Sequence, residues 1–352
     1  MNKITNILRK IVSRKYRRMI RKYLGLDLVN KFVLRKKNLK LANPTELAVE
    51  LTTACNLKCA FCPHDKMPPS FKQKDVDRSL LDLIIENVEG FSNKRIHMNI
   101  SGFGEPTLSR HLFYIIEKIK KNFPLVHTAM NTNGVLLNET TRKGLLSSGI
   151  DSITISLNAD TPGNYAKIMG ADYFDKVMEN IKLFFESVQN NRTNIEIAID
   201  LMDINNQEIK TDVRNISRQL SRYPHLYHIF LRPVLNWGGV ISGESFNAER
   251  EKKNVFADRY PCISLWRTIG VDNDGYIYPC CLGMQLREDS GLVLGNIKEV
   301  SILDCFNSDK LKAMRRYHLE NNYSKIPECE KCDFWSFSPN IFVKDSSSGH
   351  WK

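Results

Sequence analysis

No run of eighteen apolar residues occurs anywhere in the chain, which excludes a membrane-crossing helix of ordinary length. A continuous apolar segment is also missing from the N-terminus, so secretion is not expected. Nine cysteines make an odd set, and without a secretory segment a disulfide framework is a poor reading of them. A reducing cytoplasm, where thiolates stay free to bind metal, fits better. Acid is nearly absent from the first 40 residues, where 14 Lys or Arg face the single Asp27; the remainder carries 37 basic and 38 acidic residues. The formal charge of +12 therefore belongs to the leader.

Within that leader Ile4, Ile7, Leu8, Ile11, Val12, Tyr16, Met19, Ile20, Tyr23 and Leu24 recur at spacings of three and four, and Gly25 follows. The pattern predicts a basic amphipathic helix within the 1–44 leader, ended at Gly25. Such a helix suits an anionic membrane surface on the cytoplasmic side, or packs its stripe on the body of the protein. Nucleic acid is the weaker partner, because no exposed aromatics are interleaved with the charge.

With 352 residues, 42% apolar and 26% charged, the chain can form one large domain, or a large and a small one. Strands are predicted over 46–52, 95–101, 125–130, 152–157, 195–201 and 229–232, and helices over 77–90, 112–121, 136–147, 174–188 and 207–220 between them. Repeated strand and helix units imply a parallel sheet with right-handed crossovers, curled into a partial barrel of six units. Its chemistry belongs at the C-terminal strand ends.

Residues 55–62 hold Cys55, Cys59 and Cys62 in a C-x3-C-x2-C spacing just after the first strand. Three thiolates on one short loop can hold three irons of a cubane cluster and leave the fourth open. The other reading is a zinc knuckle with His64 as fourth ligand. After strand two comes Gly102-Phe103-Gly104-Glu105-Pro106, a tight turn that offers a carboxylate. Asn131 and Asn133 follow strand three, and Ser156 and Asn158 end strand four. Asp200 ends strand five and Arg232 ends strand six. An Arg there needs an anion or several acceptors. Farther on stand Cys262, Cys280 and the Cys329-x2-Cys332 pair, with Asp274-Gly275 as a hairpin turn between the first two. Spacing alone leaves zinc and a second iron–sulfur cluster open for these four. Cys281 and Cys305 are left over.

The three-cysteine spacing with Phe61 before its last member resembles the signature of the radical S-adenosylmethionine enzymes. The resemblance implies a [4Fe-4S] cluster on Cys55, Cys59 and Cys62, whose open iron is chelated by S-adenosylmethionine. Phe61 would lie near the adenine, the Gly102 to Pro106 turn near the methionine amino group, and Ser156 and Asn158 near the ribose. Asn131, Asn133 and Asp200 would complete the cofactor site. Residues 274–280 and 294–297 with the terminal C-x2-C resemble the SPASM extension in its shortened, twitch form. This implies one auxiliary [4Fe-4S] cluster on Cys262, Cys280, Cys329 and Cys332.

The implied organisation is a leader at 1–44, a partial (β/α)6 barrel at 45–240, a small hairpin-plus-helix iron–sulfur domain at 241–340, and a tail. The four-cysteine layout is similar to that of the radical dehydrogenases of aminocyclitols. Oxidation of a sugar or cyclitol carbinol to a ketone is the expected reaction, with Arg232 as the catalytic candidate. The substrate would be a small molecule, for example a sugar carried on a nucleotide or lipid diphosphate. A flavodoxin or ferredoxin-type donor would supply the electron. Alternatives are epimerisation, with Cys281 returning a hydrogen atom, and modification of a ribosomally made peptide. A non-enzymatic iron–sulfur or zinc protein that binds nucleic acid would leave the Gly-x-Gly-Glu-Pro turn unexplained.

Overall fold

A computed structural model describes residues 42–67, 71–241, 259–287, 290–337, 342, 350 and 351. The basic leader lies outside the described residues. No described helix is long and apolar enough to cross a membrane.

Six strands follow one another with helical crossovers: β1 (Glu46–Val49), β2 (His97–Ile100), β3 (His127–Thr132), β4 (Ser152–Asn158), β5 (Glu196–Met202) and β6 (Tyr227–Arg232). Each pairs in parallel with the next. The alternation in β4 shows what the sheet separates. Ile153, Ile155 and Leu157 are buried, whereas Ser152, Thr154 and Ser156 are half-buried on the opposite face. A parallel sheet covered on both faces would be apolar throughout. Here one face is apolar and meets the helices, and the other keeps polar groups for the interior of the partial barrel.

The helices carry matching stripes. Helix α1 (Arg78–Glu89) buries Leu80, Leu81, Ile84, Ile85 and Val88, and α2 (Leu112–Asn122) buries Leu112, Ile115, Ile116 and Ile119. Helix α3 (Glu139–Ser148) starts where the Asn138 side chain accepts from Thr141 N, and stops at Gly149, whose φ is 78°. After β4 comes α4 (Pro162–Met169), absent from the sequence reading. Thr161 caps it by accepting from Asn164 N, Pro162 opens its first turn, and Gly170 closes it at φ 68°. Helix α5 (Phe174–Asn190) then buries seven residues, Phe184 and Phe185 among them. The helix expected over 207–220 is shorter, α6 (Val213–Gln219), because residues 205 and 210 bridge in antiparallel fashion and Asp212 forms its cap.

The sheet does not end at six strands. β7 (Thr268–Val271) pairs in parallel with β1, Glu46 opposite Thr268 and Val49 opposite Val271, so the hairpin expected in the small domain extends the barrel sheet. β8 (Tyr276–Tyr278) and β9 (Gly295–Asn296) continue it antiparallel. The turn is built by Gly275 at φ 93° and by the Asp272 carboxylate, which accepts from Asp274 N, Tyr276 N and the Tyr278 hydroxyl. Short helices follow: α7 (Ser264–Arg267) before β7, α8 (Cys281–Leu286), α9 (Ile302–Phe306), α10 (Asp309–Leu319) and α11 (Pro327–Glu330).

Candidate active site

Cys55, Cys59 and Cys62 sit half-buried on the loop that leaves β1. Two neighbours hold that loop. Gly104 N donates to Thr52 O at 3.1 Å and Glu105 N to Ala54 O at 2.8 Å, so the Gly102 to Pro106 turn is clamped beside Cys55. The approach demands glycine: a Cβ on Gly104 would stand 2.3 Å from Thr52 O and 2.5 Å from Ala54 O. On the other side Ala60 N donates to Ile168 O, and a Cβ on Gly170 would lie 2.4 Å from Lys58 O. Helix α4 is thus the bed of the cluster loop. It brings Met169 Sδ to 3.8 Å from Cys59 Sγ. His64 is otherwise engaged, its Nε2 2.9 Å from Thr53 O.

Glu105 is buried, and its carboxylate accepts from Thr107 N and Oγ1, Thr132 Oγ1 and Asn133 N. Burial pushes its pKa up against those bonds. The carboxylate therefore braces the turn onto β3. Asn133 Nδ2 reaches Asn56 Oδ1 inside the cluster loop at 2.7 Å, while Asn131 is exposed at the end of β3. Phe103 is buried against His64 and Phe71, and Pro106 is buried at the start of its turn. Phe61 is buried in the core, and its carbonyl accepts from Trp237 Nε1 at 2.7 Å.

Three polar atoms on neighbouring elements are buried without a hydrogen bond: the Tyr165 hydroxyl on α4, Asn158 Oδ1 at the end of β4 and Asp200 Oδ1 on β5. Asn158 takes φ 59°, an uncommon conformation outside glycine, and its Nδ2 reaches Met169 Sδ at 3.3 Å. Buried polar atoms call for partners, and these three have none among the described residues. Ser156 is half-buried one strand-step earlier. Arg232 Nε donates to Asp200 Oδ2 at 2.5 Å. Burial raises the Asp200 pKa and the Arg232 charge opposes it.

The other four cysteines come together. Cys262, Cys280, Cys329 and Cys332 line one cavity, together with Arg259, His318, Glu328 and Trp335. Gly283 N donates to Cys280 Sγ at 3.3 Å and Phe334 N to Cys332 Sγ at 3.4 Å. Burial pushes all four thiols up, and their mutual proximity adds to it for Cys280, Cys329 and Cys332. Four thiols gathered in one cavity are a donor set that suits zinc or an iron–sulfur cluster. Arg259 spans the wall, donating to Cys329 O and Glu330 O with its guanidinium 3.9 Å over Tyr323. His318 Nδ1 accepts from Cys262 N, and burial with the Arg259 charge holds its pKa down to about 3. Cys281 does not line this cavity. Burial and the nearby Glu46 push its thiol up to about 12, so it keeps its hydrogen at neutral pH. Cys305 is a buried core thiol.

Two connections were not legible as motifs. Glu50, 1% exposed, accepts from Phe103 N at 2.7 Å and from Arg287 at 2.7 and 3.1 Å, with Asp272 3.6 Å from the same guanidinium. Asn236 exchanges hydrogen bonds with Asp333 and donates to Lys331 O, while the adjacent Trp237 holds Phe61 O. Each of these residues stands alone in the sequence, with no spacing to mark it. Helix α4 did carry a signal, Thr161-Pro162 at its start and Gly170 at its end.

Residues 49–215 match the radical SAM superfamily, and residues 262–333 match SPASM, an iron–sulfur cluster-binding domain. The chain is 29% identical over 192 residues to an uncharacterised protein of Methanocaldococcus jannaschii, covering 53% of this chain and 57% of that one. It is 27% identical over 197 residues to the GTP 3′,8-cyclase of Pasteurella multocida, 55% of each. The matched stretches span about half the length of these relatives. Among solved structures it is similar to BtrN in complex with AdoMet and 2-DOIA, with a TM-score of 0.53 and 17% identity over 88% of this chain and 98% of that one. At that identity the likeness is one of fold. The chain thus carries a radical SAM domain over residues 49–215, followed by a SPASM iron–sulfur cluster-binding domain over residues 262–333.

Proposed function

We propose that this enzyme oxidises a carbinol carbon of a sugar or cyclitol-type substrate to a ketone. When bound, S-adenosylmethionine on the three-cysteine cluster supplies a deoxyadenosyl radical that takes an unactivated hydrogen atom, and the auxiliary cluster supplies an acceptor for one electron. The substrate thus loses one hydrogen atom from carbon, one proton from oxygen and one electron. The observation that carries this reading is the cavity lined by Cys262, Cys280, Cys329 and Cys332. Four cysteines fill four irons and leave none to chelate substrate, which favours electron transfer as the cluster's task.

The protein's share is placement and exclusion of water. Arg232 uses Nε on Asp200, and the terminal nitrogens of its planar fork are offered to a substrate oxygen. As the hydroxyl proton leaves, the guanidinium stabilises the alkoxide-like oxygen, more strongly than it stabilises the neutral hydroxyl. Asp200, raised by burial, stands beside it as an acceptor for that proton. A diphosphate-linked sugar suits the same guanidinium, and a lipid carrier would suit the basic leader at an anionic surface.

Substrate deuterated at the reacting carbon tests the reaction. Oxidation places deuterium in 5′-deoxyadenosine and gives a product lighter than unlabelled substrate by two hydrogens. A product at unchanged oxidation state, with solvent hydrogen at that carbon, overturns oxidation in favour of epimerisation with Cys281 as hydrogen donor. Arg232→Lys keeps the charge and loses the fork, and turnover should fall roughly ten- to a thousandfold.

A further inference from the structure

Two buried ring N–H groups line the four-cysteine cavity without a hydrogen-bond acceptor among the described residues. His318 is 0% exposed, and its Nδ1 lies 3.2 Å from the backbone nitrogen of Cys262. A backbone N–H can only donate, so Nδ1 offers its lone pair and the proton of the neutral ring sits on Nε2. Nε2 makes no hydrogen bond. Trp335, 4% exposed, has an indole nitrogen that can only donate, and it too is without an acceptor. One residue comes from α10 and the other from the turn Phe334–Phe337, yet both line the cavity that the cysteines line. A buried donor is costly to leave unsatisfied. Apart from Glu328 Oε2, itself without a hydrogen bond, the acceptors that the lining side chains bring to this cavity are chiefly the cysteine sulfurs.

We propose that His318 Nε2–H and Trp335 Nε1–H are hydrogen-bond donors to the sulfurs of the auxiliary cluster, and that they raise its reduction potential. The proposal rests on the reading of Cys262, Cys280, Cys329 and Cys332 as its ligands. Reduction adds negative charge to the cluster and its sulfurs, so donors aimed at them stabilise the reduced form more than the oxidised one. The backbone already contributes two such bonds, from Gly283 and Phe334, and the side chains supply two more. Among the cavity's charged residues Arg259 acts in the same sense and Glu328 in the opposite one. The effect is to make the cluster a better acceptor of the electron that substrate oxidation releases. A rival use for each donor is a neighbouring ring face: Tyr323 stands perpendicular to His318 at 5.1 Å, and Tyr260 to Trp335 at 4.7 Å.

The experiment uses full-length protein in which Cys55, Cys59 and Cys62 are replaced by Ala, so that the remaining iron is auxiliary. Iron and sulfide are counted first, and the cluster is then titrated potentiometrically by electron paramagnetic resonance. His318→Phe and Trp335→Phe should each shift the reduced-to-oxidised ratio at fixed potential about tenfold toward oxidised, equivalent to about 59 mV for a one-electron couple. His318→Gln, whose amide can both accept and donate, should restore most of the shift. In deuterated water each Phe variant should lose one exchangeable proton coupled to the cluster. Iron-loaded variants with unchanged potential and unchanged couplings would assign the N–H groups to the tyrosine rings and overturn the inference while leaving the cluster in place. Zinc, or no iron, in this protein would overturn the ligand reading beneath it. Should His318→Phe fail to fold, 15N-histidine in the unsubstituted ring decides. Weak coupling through a proton is the expected result, whereas strong coupling (a direct ligand) or none overturns the proposal.

Discussion

A single hydrogen on Gly104 decides whether the loop that carries Cys55 can lie where it does. Its missing Cβ would collide with two backbone oxygens, which cannot rotate away as a side chain can. Gly104→Ala should therefore displace the loop and empty the three-cysteine site. Iron content should fall from about eight toward about four per chain, with little change in circular dichroism. Asp272 makes a different kind of residue-scale prediction. Burial, and then the nearby Glu50, raise its pKa to about 6. The native state thus holds its proton more tightly than the unfolded chain, so stability from this group is present below about pH 4 and lost as pH rises through about 6. The full loss is about 3 kcal/mol. Denaturant midpoints of Asp272→Asn relative to the parent should improve over that window, and a flat difference would assign the carboxylate no such cost. At this scale the grouping of Cys262, Cys280, Cys329 and Cys332 was legible from their residue type and order, and the structure gathers them in one cavity. Glu50, Arg287, His318 and Trp335 were not, because each acquires its meaning from a residue far away in the chain.

At the scale of elements, the six strands of the barrel were legible to within a few residues, since apolar and polar positions alternate along them and turns punctuate them. Two features escaped. Helix α4 is only eight residues long and carries its apolar residues at one end, too brief for periodicity to register, although its cap and stop were present. The pairing of β7 with β1 joins strands more than two hundred residues apart, and no local pattern encodes a partner at that distance. The separation between the two cysteine sets gives the element-scale prediction. Replacing Cys55, Cys59 and Cys62 by Ala should remove about half of the iron, leave an auxiliary cluster visible by electron paramagnetic resonance, and abolish cleavage of S-adenosylmethionine. Loss of all iron from that variant would deny the second set its independence.

Over the whole molecule, charge and chemistry are segregated. Residues 1 to 40 hold a net +13 and the rest a net −1. Deleting residues 1 to 30 should abolish binding to anionic vesicles while the remainder still makes 5′-deoxyadenosine, and added salt should weaken binding of the intact chain. Intact protein without vesicle affinity would assign the leader to packing.

The span from Phe61 O through Trp237 and Asn236 to Lys331 and Asp333 bears on how the enzyme matures. Trp237 sits at φ 50°, a conformation that a side chain of its size adopts only when its surroundings hold it. Its surroundings are the two cysteine loops themselves, one on each side. Ordering either loop prepares the strut, and a prepared strut lowers the ordering cost of the other. Linked equilibria are reciprocal, so whichever cluster is inserted first eases insertion of the second. The coupling is partial, so a chain that has lost one cluster should hold the other less firmly without shedding it.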